Sequence, residues 1–179
     1  MRTFVRIAVV AALATFPLTA KGQVGHHCWT GCPSTAAIED ATLLAGGAPL
    51  YNATNCALRV QNNAPANASV VARMNVVNTF DNNANPDMPG WTVMKLGYND
   101  VDGSVVQATL YRVISCTGAI DNVCTITSAS DGNGVCGTCN AAALGPIDFS
   151  TYLYYIVMRV TDTGANSNPS ANTLRLCAD

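Results

Sequence analysis

From residue 57 onward the chain alternates apolar and polar side chains with a period of two, interrupted by turns. "ALRVQ" (57–61) alternates and runs into the turn-rich "NNAPANA". "SVVARMNVVNTF" (69–80) places Val70, Ala72, Met74 and Val76 on one face, and Ser69, Arg73, Asn75 and Thr79 on the other. "WTVMKLGY" (91–98), "SVVQATLYRVIS" (104–115), "TITSAS" (125–130), "STYLYYIVMRVTD" (150–162) and "NTLRLC" (172–177) repeat the theme. Alternation of this kind sends successive side chains to opposite faces of a strand, so each segment predicts a strand with one face on a core. "NDVDG", between two of them, predicts a hairpin, because Asp-Gly accepts the positive φ of a tight turn. Upstream, "STAAIEDATLLAGG" (34–47) spaces Ala37, Ala41 and Leu44 at i, i+4 and i+7 ahead of Gly46–Gly47, which predicts one short N-terminal helix. Short strands, regular turns and little helix together predict an all-β fold: a two-sheet antiparallel β-sandwich of jelly-roll or Ig-like topology.

The first residues do not fit that scheme. Arg2 and Arg6 precede the apolar run "IAVVAALATF", which is too short to span a bilayer, and Leu18, Ala20 and Gly22 supply small-residue cleavage positions. Residues 1–22 therefore read as a secretory signal peptide, cut before Lys21 or before Gln23, leaving 23–179 as a single sandwich domain. No lipobox precedes Cys28 and no second long apolar run follows, so membrane insertion is not expected. The expected location is secreted or periplasmic.

Export changes the meaning of the eight cysteines, all of which follow the leader: an even count in an oxidising compartment predicts a disulfide-stabilised framework. Local closure favours Cys28–Cys32, Cys116–Cys124 and Cys136–Cys139, which leaves Cys56–Cys177 to close a long loop, worth about 4–5 kcal/mol in the chain-entropy treatment. Under that pairing "CGTC" (136–139) is a staple. A redox centre would need a strand-to-helix setting, and the loop-like flanks "SDGNGV" and "NAAALGP" do not supply it.

Removing Arg2, Arg6 and Lys21 from the nine cations leaves six against eleven acids, a net charge of −5. Such a balance argues against nucleic acid as a partner. The placement is more telling than the sum. Arg59, Arg73, Lys95, Arg112, Arg159 and Arg175 all sit inside strand segments, whereas most acids sit in turns. Arg59, Arg73, Arg159 and Arg175 share the polar phase of their strands and should face solvent. The plain reading is solubility and protection of sheet edges. The sharper one is a cationic sheet face for an anionic or π-rich ligand, helped by Trp29 and Trp91, which the flanking cysteines and "DMPG" place near the surface.

Candidate chemistry is sparse. Cys28, Cys32, Cys136 and Cys139 with His26 or His27 have the softness of zinc ligands but not the spacing. His26 and His27 stand at the wrong distance from either cleavage point for an amino-terminal copper site. "NDVDGS" and "SDGNG" are rich in oxygen yet lack the distant bidentate Glu of a calcium loop. No metal site or cofactor is expected, calcium in the sandwich loops being the one exception left open. The sole Glu is Glu39, the histidines are adjacent, and no Gly-x-Ser-x-Gly occurs, so an enzyme is not expected. Tyr152 and Tyr154 share a face with Ile156, Met158 and Val160, which points them at the core, while Tyr155 lies opposite. "NAT" (52–54) and "NAS" (67–69) match the glycosylation sequon.

The C-terminal stretch "YLYYIVMRVTDTGANSNPSANTLRLC" carries a resemblance. Tyr154–Tyr155, the alternation through Arg159–Val160, Asn168–Pro169 and Leu174 to Cys177 resemble uncharacterised small exported bacterial proteins with a two-sheet sandwich. That resemblance implies a fold and no activity. The expected function is a binding or structural surface protein, with a carbohydrate-binding module as the alternative and a secreted hydrolase built on aspartates or a metal as the remoter one. The partner would be a polysaccharide or another extracellular protein.

Overall fold

A computed structural model describes residues 28–42, 51–61, 64–78, 87–100, 103–129, 132–164 and 168–178. The leader, His26–His27 and the second half of the expected helix lie outside the described residues. Among the described residues eleven strands follow one another: β1 (Cys28–Gly31), β2 (Ala37–Ala41), β3 (Tyr51–Thr54), β4 (Ala57–Val60), β5 (Ser69–Val76), β6 (Val93–Asp100), β7 (Val105–Ile114), β8 (Ile120–Thr127), β9 (Gly132–Asn140), β10 (Tyr152–Thr161) and β11 (Ser170–Cys177). A 3-10 turn at Pro33–Thr35 separates β1 from β2.

The strands form two antiparallel sheets. One runs β3-β4-β11-β6-β9, with β1 also paired to β11, and the other runs β2-β5-β10-β7-β8. β11 serves two partners on one side: β4 meets Ser170 and Ala171, and β1 meets Leu174 to Cys177. In the five-stranded sheet, β10 and β7 pair along their whole length, from Tyr152 opposite Ile114 to Thr161 opposite Val105.

Alternation explains the packing. Val70, Ala72, Met74 and Val76 of β5, Val106, Ala108 and Leu110 of β7, and Ile156, Met158 and Val160 of β10 are buried from one sheet. Leu58, Val60, Met94, Leu96, Leu174 and Leu176 meet them from the other, in a single apolar cluster. Each such side chain contributes about 1.5–3 kcal/mol on leaving water.

Several expectations fail for identifiable reasons. Ala37–Ala41 is strand β2 rather than helix, because pairing with β5 at Arg73, Ala72, Val71 and Val70 satisfies its backbone and overrides a weak local period. The Asp-Gly turn does hold Gly103 at φ 74°, yet it joins no hairpin: β6 and β7 lie in different sheets. Residues 132–140, expected as loop, form β9 against β6.

The cysteine pairing also differs. Cys28–Cys177, Cys32–Cys56 and Cys124–Cys139 are bridged, and Cys116 and Cys136 are exposed free thiols. None of the expected pairs Cys28–Cys32, Cys56–Cys177, Cys116–Cys124 and Cys136–Cys139 forms. For Cys28–Cys32 and Cys136–Cys139, closeness in sequence becomes distance along an extended chain, where each residue advances about 3.3 Å, against a Cα limit of about 7 Å for a bridge. Cys56, Cys177 and Cys124 instead find Cys32, Cys28 and Cys139 across the fold. Cys136 and Cys139 are three positions apart on β9, with Cys136 exposed and Cys139 packed against the core. Cys28 and Cys177 face each other directly across β1 and β11, with Cα atoms 4.3 Å apart. The glycine of "CGTC" has a packing role. A Cβ at Gly137 would collide with the Ile126 side chain, so the two edge strands β8 and β9 close together only over a bare backbone.

Candidate functional site

The four arginines expected on one ligand face are split between the two sheets. Arg59 (β4) and Arg175 (β11) belong to the six-stranded sheet with Lys95 of β6, and Arg73 (β5) and Arg159 (β10) to the five-stranded one. Arg73, Arg159 and Arg175 are exposed as expected, while Arg59 is half-buried with its Nε out of contact with water. The tryptophans fail as surface groups. Trp29 is 6% and Trp91 1% exposed, both inside the core, where Trp91 meets Phe149 edge-on. Arg112 lies at the rim: its Nε donates to Asp121 Oδ2 at 2.9 Å, its Nη1 to the Leu144 carbonyl at 2.7 Å, and its guanidinium covers the Tyr152 ring.

The outer face of the five-stranded sheet holds a different constellation. Tyr155 stands directly opposite Tyr111, and their rings stack with centroids 5.1 Å apart and planes 19° from parallel. The Arg73 guanidinium covers the other side of Tyr155 at 4.5 Å, and its Nε donates to Glu39 Oε1 at 2.7 Å. Glu39 reaches Arg73 because the register of β2 on β5 shifts between Ile38 and Asp40. A ladder of carboxylate, guanidinium and two phenols thus crosses from β2 to β7. Asn75 faces Tyr155 from β5 and Asn122 faces Tyr111 from β8.

Below the ladder comes an apolar row. Leu153 is opposite Val113, which is opposite Ile120, and Val77 follows the end of β5. Leu153, Ile120 and Val77 are 61%, 58% and 54% exposed. Large aliphatic groups at such exposure and in one row are unusual for a sheet face turned to water. A cavity of about 430 Å³ opens here, lined by Arg73, Asn75 and Tyr155 on its polar side and by Val77, Val113, Ile120 and Leu153 on its apolar side. Val76, Phe149 and Tyr154 complete its lining. The Tyr154 hydroxyl accepts the Asp148 N–H at 3.0 Å, and burial raises the pKa of this phenol.

Sequence reasoning missed Tyr155, Tyr111 and the Leu153 row. Their signal was present: Tyr155 lies opposite in phase to Tyr154, and Gln107, Thr109 and Tyr111 share the polar phase of β7. What the sequence lacks is the strand order that makes β7 and β10 neighbours.

For metal chemistry, Cys28, Cys32 and Cys139 are in disulfides and so unavailable as thiolates. Among the described residues no three His, Cys, Asp or Glu side chains come together. The calcium-like stretches fall partly outside the described residues.

The fold and the face together define an antiparallel two-sheet β-sandwich with a ligand-sized cavity on one outer sheet face. No family model and no curated protein matches the chain. Among solved structures it is similar to the xylan-binding module CBM86 from Roseburia intestinalis, at 12% identity and a TM-score of 0.44, over 84% of this chain and 94% of that one. It is also similar to the xylan-binding module CBM15, at 11% identity and a TM-score of 0.35, over 86% and 92%. A family two carbohydrate esterase from Cellvibrio japonicus aligns at 8% identity and a TM-score of 0.38, with 86% of this chain spanning 34% of that one. At such identities and scores the likeness is one of outline.

Proposed function

We propose that this is an exported binding domain that holds a polysaccharide on the outer face of its five-stranded sheet and catalyses no reaction itself. The observation that carries the reading is the two-sided lining of the cavity. A pyranose ring has apolar C–H faces and a rim of hydroxyls. Leu153, Val113, Val77 and Ile120 offer a dry surface to the former, and Asn75, Arg73 and Tyr155 offer donors and acceptors to the latter. Arg73 is already held by Glu39 and Tyr155, so little side-chain freedom remains to be lost on binding. The modules of similar outline include two xylan binders, but the assignment rests on this face and not on that outline.

Binding fits better than hydrolysis. A glycosidase sets two carboxyl groups across its substrate, whereas the carboxylate on this face, Glu39, is engaged by Arg73. Export fits three disulfides, which persist in oxidising compartments. The alternation of sheets between consecutive strands, with orders β4-β11-β6-β9 and β5-β10-β7-β8, fits a jelly roll rather than an Ig-like topology.

The test is affinity electrophoresis of the exported protein through gels containing xylan, mixed-linked glucan, mannan or pectin. Retardation in at least one gel, abolished by Tyr155→Ala, is the expected result. Unretarded migration in every gel, alongside capture of a soluble protein partner by the Leu153 row, would replace the reading with a protein-binding one. Both tryptophans are buried, so ultraviolet tyrosine difference spectra are the appropriate optical reporter.

A further inference from the structure

β9 is the outermost strand of the six-stranded sheet, and among the described residues only β6 pairs with it. An edge strand leaves a row of N–H and C=O groups open, and folded proteins blunt such rows with charge, proline, bulges or shortness. The other edges of this sandwich are blunted. β3 is four residues long. β2 carries Glu39 and Asp40 at a register shift, and β8 carries Asp121 beside another. β9 has nine residues, "GNGVCGTCN", with no charge and no proline. Its one register shift lies between Gly132 and Val135, where Gly134 has φ 69° and donates its N–H to Asn99 Oδ1. The regular part of the strand is therefore Val135 to Asn140. Cys136, Thr138 and Asn140 point outward, small, uncharged and exposed.

We propose that β9 is an interface between two copies of this chain, paired antiparallel about a two-fold axis through Cys136. An antiparallel edge is self-complementary: under a two-fold axis each open N–H meets the open C=O of the same strand in the other copy. A strand without charge brings no like charges face to face across that axis. An axis through Cys136 keeps the regular residues beside the bulge in register: Cys136 faces the partner's Cys136, and Val135 faces the partner's Gly137 on either side of it. The strand makes the interface, and the exposed thiol reports it. Directly opposed residues have Cβ atoms about 4.5–5.5 Å apart, close to bridging distance. Oxidised glutathione then joins the two sulfurs: each thiol loses its proton, the pair gives two electrons to the glutathione disulfide, and two reduced glutathione molecules leave.

The test is sedimentation velocity over a concentration series under reducing conditions, with the wild-type chain, Cys136→Ser and Cys136→Lys, each checked by its melting curve. Wild type and Cys136→Ser are expected to dimerise. Cys136→Lys opposes two ammonium groups and is expected to weaken the dimer at least tenfold, and Cys136→Asp serves the same purpose should the lysine variant fold poorly. In a Cys116→Ser background, oxidised glutathione should yield one interchain bridge, mapped to Cys136 by peptide mass. A wild-type chain that stays monomeric throughout overturns the proposal, as does a dimer that survives both charged substitutions or an oxidised sample without that bridge. The carbohydrate reading stands or falls separately, since the five-stranded face takes no part.

Discussion

In the five-stranded sheet, β7 and β10 pair over ten residues each, and their alternation leaves one face for the core and one for Tyr111, Tyr155 and Leu153. In the six-stranded sheet the central pair, β11 with β6, is interrupted by a register shift between Ala171 and Thr173, and the far side of β11 is divided between two short strands. β11 is flanked by β4 over two registered positions and by β1 over four, and covalent bonds take over part of the work. Every disulfide touches this second sheet: Cys28–Cys177 joins β1 to β11, Cys32–Cys56 ties the 3-10 turn to the β3–β4 connection, and Cys124–Cys139 fastens β9 to β8 of the opposite sheet. The long strands β7 and β10 hold by packing and leave their outer face free. Two of the three bridges secure the short strands β1, β3 and β4, and the third joins the edges of the two sheets.

The comparison predicts where the fold is most easily broken. Cys28→Ser with Cys177→Ser opens a loop spanning 149 positions and should cost about 4–5 kcal/mol, read as a lower urea midpoint. The five-stranded sheet, with no disulfide within it, should keep its Tyr111–Tyr155 signature in near-ultraviolet circular dichroism to higher urea than the other sheet keeps Trp91. A coincident loss of both signals would show one cooperative unit and blunt the distinction.

Gly137→Ala is next in size. Its methyl group must displace Ile126 where β9 meets β8, and overpacking of this kind costs about 1–3 kcal/mol. Gly134→Ala, at a position with open space around it, gives a useful contrast: its loss comes only from the strain of φ 69°. If Gly137→Ala melts no lower than Gly134→Ala, the close approach is not limiting.

The smallest effect concerns pH. Burial raises the pKa of Tyr154 above its ordinary value of 10.0, so the folded protein keeps this proton after the unfolded chain has released it. The associated stability is present below pH 10 and is lost as pH rises through the folded value. Tyr154→Phe should lose the hydrogen bond from Asp148, worth about 0.5–1.5 kcal/mol, and should flatten the alkaline limb of a melting-temperature profile. An unchanged limb would assign alkaline unfolding to other groups.

Much of the sandwich was legible because strands such as β5 and β10 alternate inward and outward residues along their length; β9, rich in glycine and polar residues, gave no such signal. Val70, Ala72, Met74 and Val76 were assigned inward from spacing alone and are buried. β1, β2 and β3 were not legible, being four or five residues long and made into strands only by their partners. The disulfides were misread because loop-closure reasoning assumes flexible chain, and Cys136–Cys139 lies in an extended strand. Of the expected site, Arg73 sits at the cavity, whereas Arg59 and Arg175 sit on the other sheet and Trp29 and Trp91 lie in the core. Spacing tells which face of its own strand a residue takes. It does not tell which strands become neighbours, and the ladder from Glu39 to Tyr111 depends wholly on that order.

The central claim is that one outer face binds polysaccharide and the other does not. Its most direct test is a calorimetric titration of the polysaccharide that retards the protein, run in parallel on wild type, Tyr155→Ala and Arg175→Ala. The account predicts affinity lost at least tenfold in Tyr155→Ala, about 1.4 kcal/mol, and unchanged in Arg175→Ala. Loss in Arg175→Ala with full binding by Tyr155→Ala would move the site to the six-stranded sheet and contradict it.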